Sequence, residues 1–337
     1  MSRLAAALAL AILAAAGPAS ACAICLSAVS VTVGEQIDAA DRVVLAAPEG
    51  GALRVAAVVK GAGAAGETIP LDTLVPRVGL RPGQALLLAH NAFAGTWTSL
   101  GGVDPANAGW LAGLAASDGA ARLALAGPRL EDADPLVARI AHDEIARAPY
   151  GSLAGLAASL DPATLRAFVA APGRAEWRPG YILLLGLAGD AADADAIEAS
   201  LGQGADPADL AALLAADMEL RGPGRVPWVE ETWLADRSRT LPEIEAALRA
   251  LSVQGDADAT VPRAEVVAAF RRFIRARPPM AGFVAADLGR WQAWDASPDY
   301  AALIEAGAVA DPAEEFAILS YLQQSPDPAA RAALAHD

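Results

Sequence analysis

The stretch GYILLLGLAGDAADADAIEASL, from Gly180 to Leu201, contains two helices and one turn. Its apolar run, Tyr181 to Ala188, lies between Arg178 and Asp190. It is far shorter than the ~20 residues a membrane-spanning helix needs. The run stops at Gly189-Asp190, and a second helix carries Ala196, Ile197 and Leu201 on its apolar side. Gly186 has no side chain to keep a neighbouring helix away. Gly189 suits the left-handed stop of a helix. Asp190 can cap the helix that follows.

The same grammar runs through the chain after about Ala106. Asp134-Pro135, Asp161-Pro162, Asp206-Pro207, Asp311-Pro312 and Asp327-Pro328 each place a capping carboxylate before a proline at the first helical position. Leu136, Val137, Ile140 and Ile145 form one apolar stripe, Leu165, Phe168 and Val169 a second, Ile244, Leu248 and Leu251 a third. The run Leu184-Leu185-Gly186, then Gly189-Asp190 and a second apolar helix, resembles the HEAT repeat family. That resemblance implies an α-solenoid of stacked helical pairs with an extended concave face.

Residues 30–104 read differently, as short strands between Gly/Pro turns. Arg42 to Ala46 and Leu53 to Val59 flank the turn cluster Pro48-Glu49-Gly50-Gly51, a hairpin pattern. Glu67 to Leu71 is a short edge strand carrying Pro70, Gln84 to Ala89 a buried strand, and Gly95 to Leu100 a closing one. Val29 to Ala40 fits helix or strand. An initial cysteine at Cys22, Ala39-Ala40-Asp41 before an apolar strand, and Val55 to Val59 ending in Lys60-Gly61 resemble the netrin-like barrel of tissue inhibitors of metalloproteinases. The resemblance implies an OB-type barrel. In that family the first cysteine's amine and carbonyl can chelate a protease zinc, a role that would fall on Cys22. The family's C-x-C start, with distant partner cysteines, is replaced here by C-x-x-C with none. The expected fold is therefore α+β and multidomain: a signal peptide over 1–21, a small OB-like β-barrel over 22–104, and a HEAT-like α-solenoid over 105–337. Asp143 to Tyr150, Leu184 to Asp190 and Asp287 to Trp291 also resemble stretches of uncharacterised secreted bacterial HEAT-like proteins, which implies architecture and transfers no activity.

Arg3, the apolar run Leu4 to Ala16, the break at Gly17-Pro18 and Ala19-Ser20-Ala21 have the three parts of a secretory signal peptide. Cleavage would leave Cys22 first, in the oxidising periplasm or outside the cell, with no later transmembrane segment. The 40 acidic and 25 basic residues give a net charge of −15. That charge excludes a basic nucleic-acid footprint and is repelled by anionic lipid.

Cys22 and Cys25, in CAIC, are the only cysteines. Covalent haem needs C-x-x-C-H, and Leu26 stands where the histidine would be. None of the histidines His90, His142 and His336 has ligand spacing to Cys25, so no zinc set is visible. A thioredoxin-type dithiol follows a strand, and none precedes Cys22. A local Cys22–Cys25 disulfide is the leading expectation. A lipid anchor at Cys22, behind a weak lipobox, is the alternative.

His142-Asp143-Glu144 point in three directions from a helix, so the carboxylates are expected on a solvated face. Asp190, Asp193 and Asp195 lack the glycine and twelfth-position glutamate of a calcium loop, and read as caps and an exposed acidic face. Gly61, Gly63 and Gly66 match G-x-G-x-x-G, but the extended, proline-containing run after them offers no helix N-terminus to a phosphate. Trp228 with Trp233, and Trp291 with Trp294, come at helical spacing. They read either as core packing or as aromatic anchors on a binding face. No catalytic motif and no cofactor signature appears. The expected function is a non-enzymatic, protein-binding scaffold of the cell envelope. The alternatives are a metalloprotease-inhibitor-like role for the N-terminal part and a thiol-disulfide enzyme using Cys22 and Cys25.

Overall fold

The structure is a computed structural model that describes residues 31–75, 81–256 and 259–335. The expected signal peptide over 1–21, Cys22 and Cys25 lie outside the described residues. The chain is α+β: an open sheet in the N-terminal part, then a long run of helices. It divides into two compact units, residues 31–149 and residues 150–335 of the described chain.

The first unit begins with α1 (Val33–Ala39). The ambiguous segment resolves as helix because Thr32 and Glu35 form a reciprocal capping box. At the other end Lys60, the only lysine, donates to the carbonyls of Ile37 (2.9 Å) and Asp38 (2.7 Å), satisfying acceptors at the helix terminus. Strands β1 (Arg42–Glu49) and β2 (Ala52–Lys60) form the expected hairpin. Gly50 and Gly51 supply φ of +60° and +86° at its tip, a geometry that favours glycine. Then come β3 (Thr68–Ile69), β4 (Leu74–Val75), β5 (Ala85–Asn91) and β6 (Thr96–Val103). After Gly61, Gly63 and Gly66 the next element is strand β3, not a helix.

The sheet order is β3-β2-β1-β5-β6-β4, antiparallel except for the parallel β4–β6 pair. It is open, whereas the sequence reading expected closure into a barrel. Both edge strands still place a residue, Ile69 and Leu74, in one apolar cluster with Val44, Ala46, Leu86 and Leu88. The alternate residues Val43, Leu45, Ala85 and Leu87 face the other way. They pack with Ile37 of α1, with Leu111 and Leu114 of α2 (Ala108–Ala115), and with Val137 and Ile140 of α4 (Pro135–Arg147). Secondary structure thus changes at Val103, while the compact unit continues through α3 (Gly119–Ala126) and α4 to Pro149.

The expected solvated face at Asp143-Glu144 is not what forms. Glu144 is 4 % exposed. It accepts from Arg122 Nη2 at 3.0 Å and Arg147 Nη1 at 3.1 Å. Both arginines also bind Asp38 at the end of α1, Arg122 Nη1 at 2.8 Å. Asp143 accepts from the Val33 N–H at 3.0 Å. A Cβ at position 34 would collide with the ends of the Glu144 and Arg147 side chains, so a larger residue there would push this ion-pair network aside.

Burial disfavours the charged form of Asp38, but the Arg147 and Arg122 guanidiniums hold its carboxyl below its ordinary value of 3.8. A carboxyl with a depressed folded pKa adds stability above its unfolded pKa and loses it as pH falls through the folded one. Denaturant titrations should therefore show Asp38→Asn less stable than the native chain near neutrality, with the gap closing below about pH 4. A gap that stays constant through the acid range would contradict this.

The second unit is helical: α5 (Leu153–Ala157), α6 (Pro162–Ala170), α7 (Arg178–Ala188), α8 (Ala191–Gly202), α9 (Pro207–Arg221) and α10 (Val226–Val229). A π-helix over Glu230–Ala235 continues from α10. Then follow α11 (Leu241–Gln254), α12 (Arg263–Ala276), α13 (Ala285–Arg290), α14 (Ser297–Glu305), α15 (Pro312–Gln324) and α16 (Pro328–Leu334). Each of Asp134, Asp161, Asp206, Asp311 and Asp327 caps its helix by accepting an N–H two residues on.

Helices α7 and α9 touch at Gly186, where a Cβ would sit 2.8 Å from Ala216 Cα. Gly189 is not left-handed; its φ is −80°. Glycine is needed there for space, because a Cβ would meet Asp193 Oδ2 at 2.5 Å and Leu185 O at 2.6 Å. Asp190 and Asp193 form a capping box, and Arg166 bridges both carboxylates. Asp193 is 4 % exposed, so the expected acidic face holds only in part.

Candidate ligand cavity at Trp228 and Trp233

The second unit holds a cavity of about 590 Å³ lined by Trp228 and Trp233. The end of α8 (Glu198, Leu201, Gly202) and the start of α9 (Pro207, Leu210) form one side, and Thr232, Arg239, Thr240 and Glu243 another. The size falls within the 300–1,000 Å³ usual for ligand pockets.

Arginines fix both tryptophans. The Arg225 guanidinium lies 3.7 Å from the centre of the Trp228 ring, and that of Arg239 lies 4.0 Å from the Trp233 ring. Arg225 is itself held by Asp217, which is fully buried, and by Glu198 at 2.6 Å. Arg221 joins Asp217 (3.1 Å), Glu198 (2.9 Å) and Asp195 (2.9 Å). Burial pushes the Asp217 carboxyl above its ordinary value despite the pull of Arg225 and Arg221. A guanidinium suits this work because its fork grips carboxylates while its flat face covers a ring. Trp97, Trp110 and Trp291 also carry arginines, namely Arg42, Arg129 and the pair Arg263 and Arg290.

Trp233 lies within the π-helix. Widened turns of this kind are rare and concentrate at functional sites. Here the Thr232 carbonyl accepts from Arg239 Nε at 3.0 Å, while Arg239 Nη1 donates to Glu243 at 3.0 Å. Trp233 is 4 % exposed, and its indole N–H is buried with no acceptor among the described residues. Leaving such a donor unmet costs about 1–3 kcal/mol.

Trp291 and Trp294 do not line this cavity. Trp291 stacks on Phe270 with centroids 5.8 Å apart and donates to Asp256 at 3.3 Å, and a Cβ at Gly255 would collide with its ring. Trp294 packs against Tyr321 at 5.2 Å. Of the four tryptophans singled out in the sequence, one pair thus forms a cavity wall and the other pair makes packing contacts. The sequence reading missed Arg225 and Arg239; the three-residue spacing of Arg225 and Trp228 on a helix was the available signal.

Among the described residues no group of three or more His, Cys, Asp or Glu side chains could hold a metal ion, and no helix is long and apolar enough to cross a membrane. Comparison with protein-family models, with curated proteins and with solved structures gives no match for this chain.

Proposed function

We propose that this chain is an exported cell-envelope protein acting as a non-enzymatic, protein-binding scaffold, with the Trp228–Trp233 cavity as its recognition site. The observation that carries the reading is the 590 Å³ cavity with two arginine-clamped tryptophans in its wall. Tryptophan in a rigid, largely desolvated setting is a common energetic anchor of interfaces. In this reading the helical pairs form a HEAT-like solenoid, supported by the short connections and by the close packing at Gly186. The signal-peptide pattern supports export.

Gly202 lines the cavity, and a side chain built there meets nothing within 4 Å. A photo-crosslinking amino acid at Gly202 is expected to trap an envelope protein in the cells that make this chain. Trp228→Ala should reduce the adduct about tenfold, the effect of truncating an interface anchor. The same group at Gly180, which is also unobstructed, serves as the control. Equal adducts with and without Trp228, or a turnover activity that persists through purification to homogeneity, would overturn the proposal.

A further inference from the structure

We propose that Glu314 is a switch between helix α15 and the turn Pro278–Val284. Protonated, its carboxyl stays buried against the turn; ionised, it swings out to the Asp311 N–H and loosens that contact. The structure shows the buried position. A Cβ at Gly282, in the turn, would lie 2.6 Å from Glu314 Oε2 and 2.6 Å from the Glu314 carbonyl oxygen. The carboxyl therefore sits directly against the turn. Oε2 is buried and has no hydrogen-bond donor among the described residues. An ionised oxygen so placed loses its water and gains no partner, whereas a protonated carboxyl has no charge to desolvate.

The outward position is available through the helix start. Glu314 is the third residue of α15, behind its cap Asp311. The residue at that place closes a capping box in α1, α8 and α11. Glu35 accepts from the Thr32 N–H at 2.7 Å, Asp193 from Asp190 at 2.9 Å, and Glu243 from Thr240 at 2.8 Å. Such a bond favours the charged form; it is the main reason the Glu35 and Glu243 carboxyls lie below their ordinary value. In α15 the box is not closed. The two positions of one carboxyl thus have opposite preferences for the proton.

The neighbouring charges add to the penalty on the buried carboxylate. Burial pushes the Glu314 carboxyl above its ordinary value of 4.5, Asp311 and Glu245 of α11 push the same way, and the Gly282 and Phe283 N–H groups offset only part. The turn itself carries no charged side chain. On α13, Asp287 and Arg290 pair with each other at 2.7 Å. On α14, Asp299 is held by Arg271 and Arg275, Tyr300 donates to the Ala281 carbonyl, and Glu305 is exposed. Tyr321, on α15 itself, donates to the Ala293 carbonyl. Glu315 of α15, Arg249 of α11 and Arg331 of α16 are exposed. A carboxyl with a raised folded pKa stabilises least where it is ionised, so the contact weakens as pH rises. Each pH unit above the midpoint should raise the ratio of outward to buried carboxyl about tenfold.

The test follows methionine methyl groups of the intact chain by NMR from about pH 4 to about pH 7, the range in which a raised carboxyl titrates. Met280 lies in the turn, and Met218, fully buried in α9, is the internal reference. Met280→Leu assigns the signal. The Met280 methyl should move in a single step while Met218 stays. The Asp311 amide proton should move downfield in the same step, as it gains a carboxylate acceptor. Glu314→Gln, the neutral isostere, should hold Met280 at its acid position throughout. Glu245→Gln removes one like charge on another helix and should move the native step to lower pH. A Met280 signal that ignores pH, a step that survives Glu314→Gln, or an Asp311 amide that stays while Met280 moves overturns the proposal. An unmoved step in Glu245→Gln does so too, and that readout keeps the test decisive if Glu314→Gln folds poorly.

Discussion

Glu144→Ala is expected to lower the stability of the first unit by about 3–5 kcal/mol, the cost of breaking a buried ion pair from one side. The carboxylate is 4 % exposed and holds Arg122, whose side chain is only 10 % exposed, together with Arg147. Without it, Arg122 retains Asp38 alone, at the half-exposed end of α1. Glu144→Gln, which keeps the shape and one acceptor, should cost less, about 1.5–3 kcal/mol. Replacing Glu144 and Arg122 together with apolar residues of similar volume should recover most of the loss, because desolvation of both charges is then avoided. Amide exchange in β1 and β5, followed against denaturant, reads this unit separately. A change below about 1 kcal/mol for Glu144→Ala would show that the network is not a support of the fold.

Gly186→Val should destabilise the second unit by about 3 kcal/mol, at the upper end of ordinary overpacking. The obstacle is backbone: a Cβ there lies 2.8 Å from Ala216 Cα, and α9 cannot yield as a flexible side chain would. Gly186→Ala decides between two effects of opposite sign. Helix propensity alone favours alanine by about 0.8–1 kcal/mol. The contact opposes it and should win, giving a net loss. Gly180→Ala, in the same helix with nothing within 4 Å of its Cβ, should instead be stabilising. Thermal melts of both variants provide the comparison. A stabilised Gly186→Ala would mean that α7 and α9 can separate without loss.

The aspartate–proline helix starts were legible in the sequence because a cap is a contact across two or three residues. The alternating burial of β1 and β5 was legible for a similar reason, as it follows from the pleat. Gly186 was read as a point of close approach within its own helical pair, whereas the helix it meets is α9, through Ala216. Gly189 was read as a left-handed stop, because the conformation and the crowding at a glycine leave the same letter in the sequence. Trp228 and Trp233 were visible as a pair, while Trp291 and Trp294 gave the same signal and pack elsewhere.

What the sequence by itself determined is the succession of elements: short strands within residues 30–104, helices beyond, and the start of each helix that follows an aspartate–proline pair. These depend on propensity, capping and period, which act over one or two turns. Only the tertiary structure decided which charges are buried and which tryptophans share a wall. Asp38 meets Arg122 across 84 residues and Arg147 across 109, and no local pattern encodes such a meeting. The cavity likewise joins the ends of α8 and α9 to a π-helix whose wider turn no motif announced.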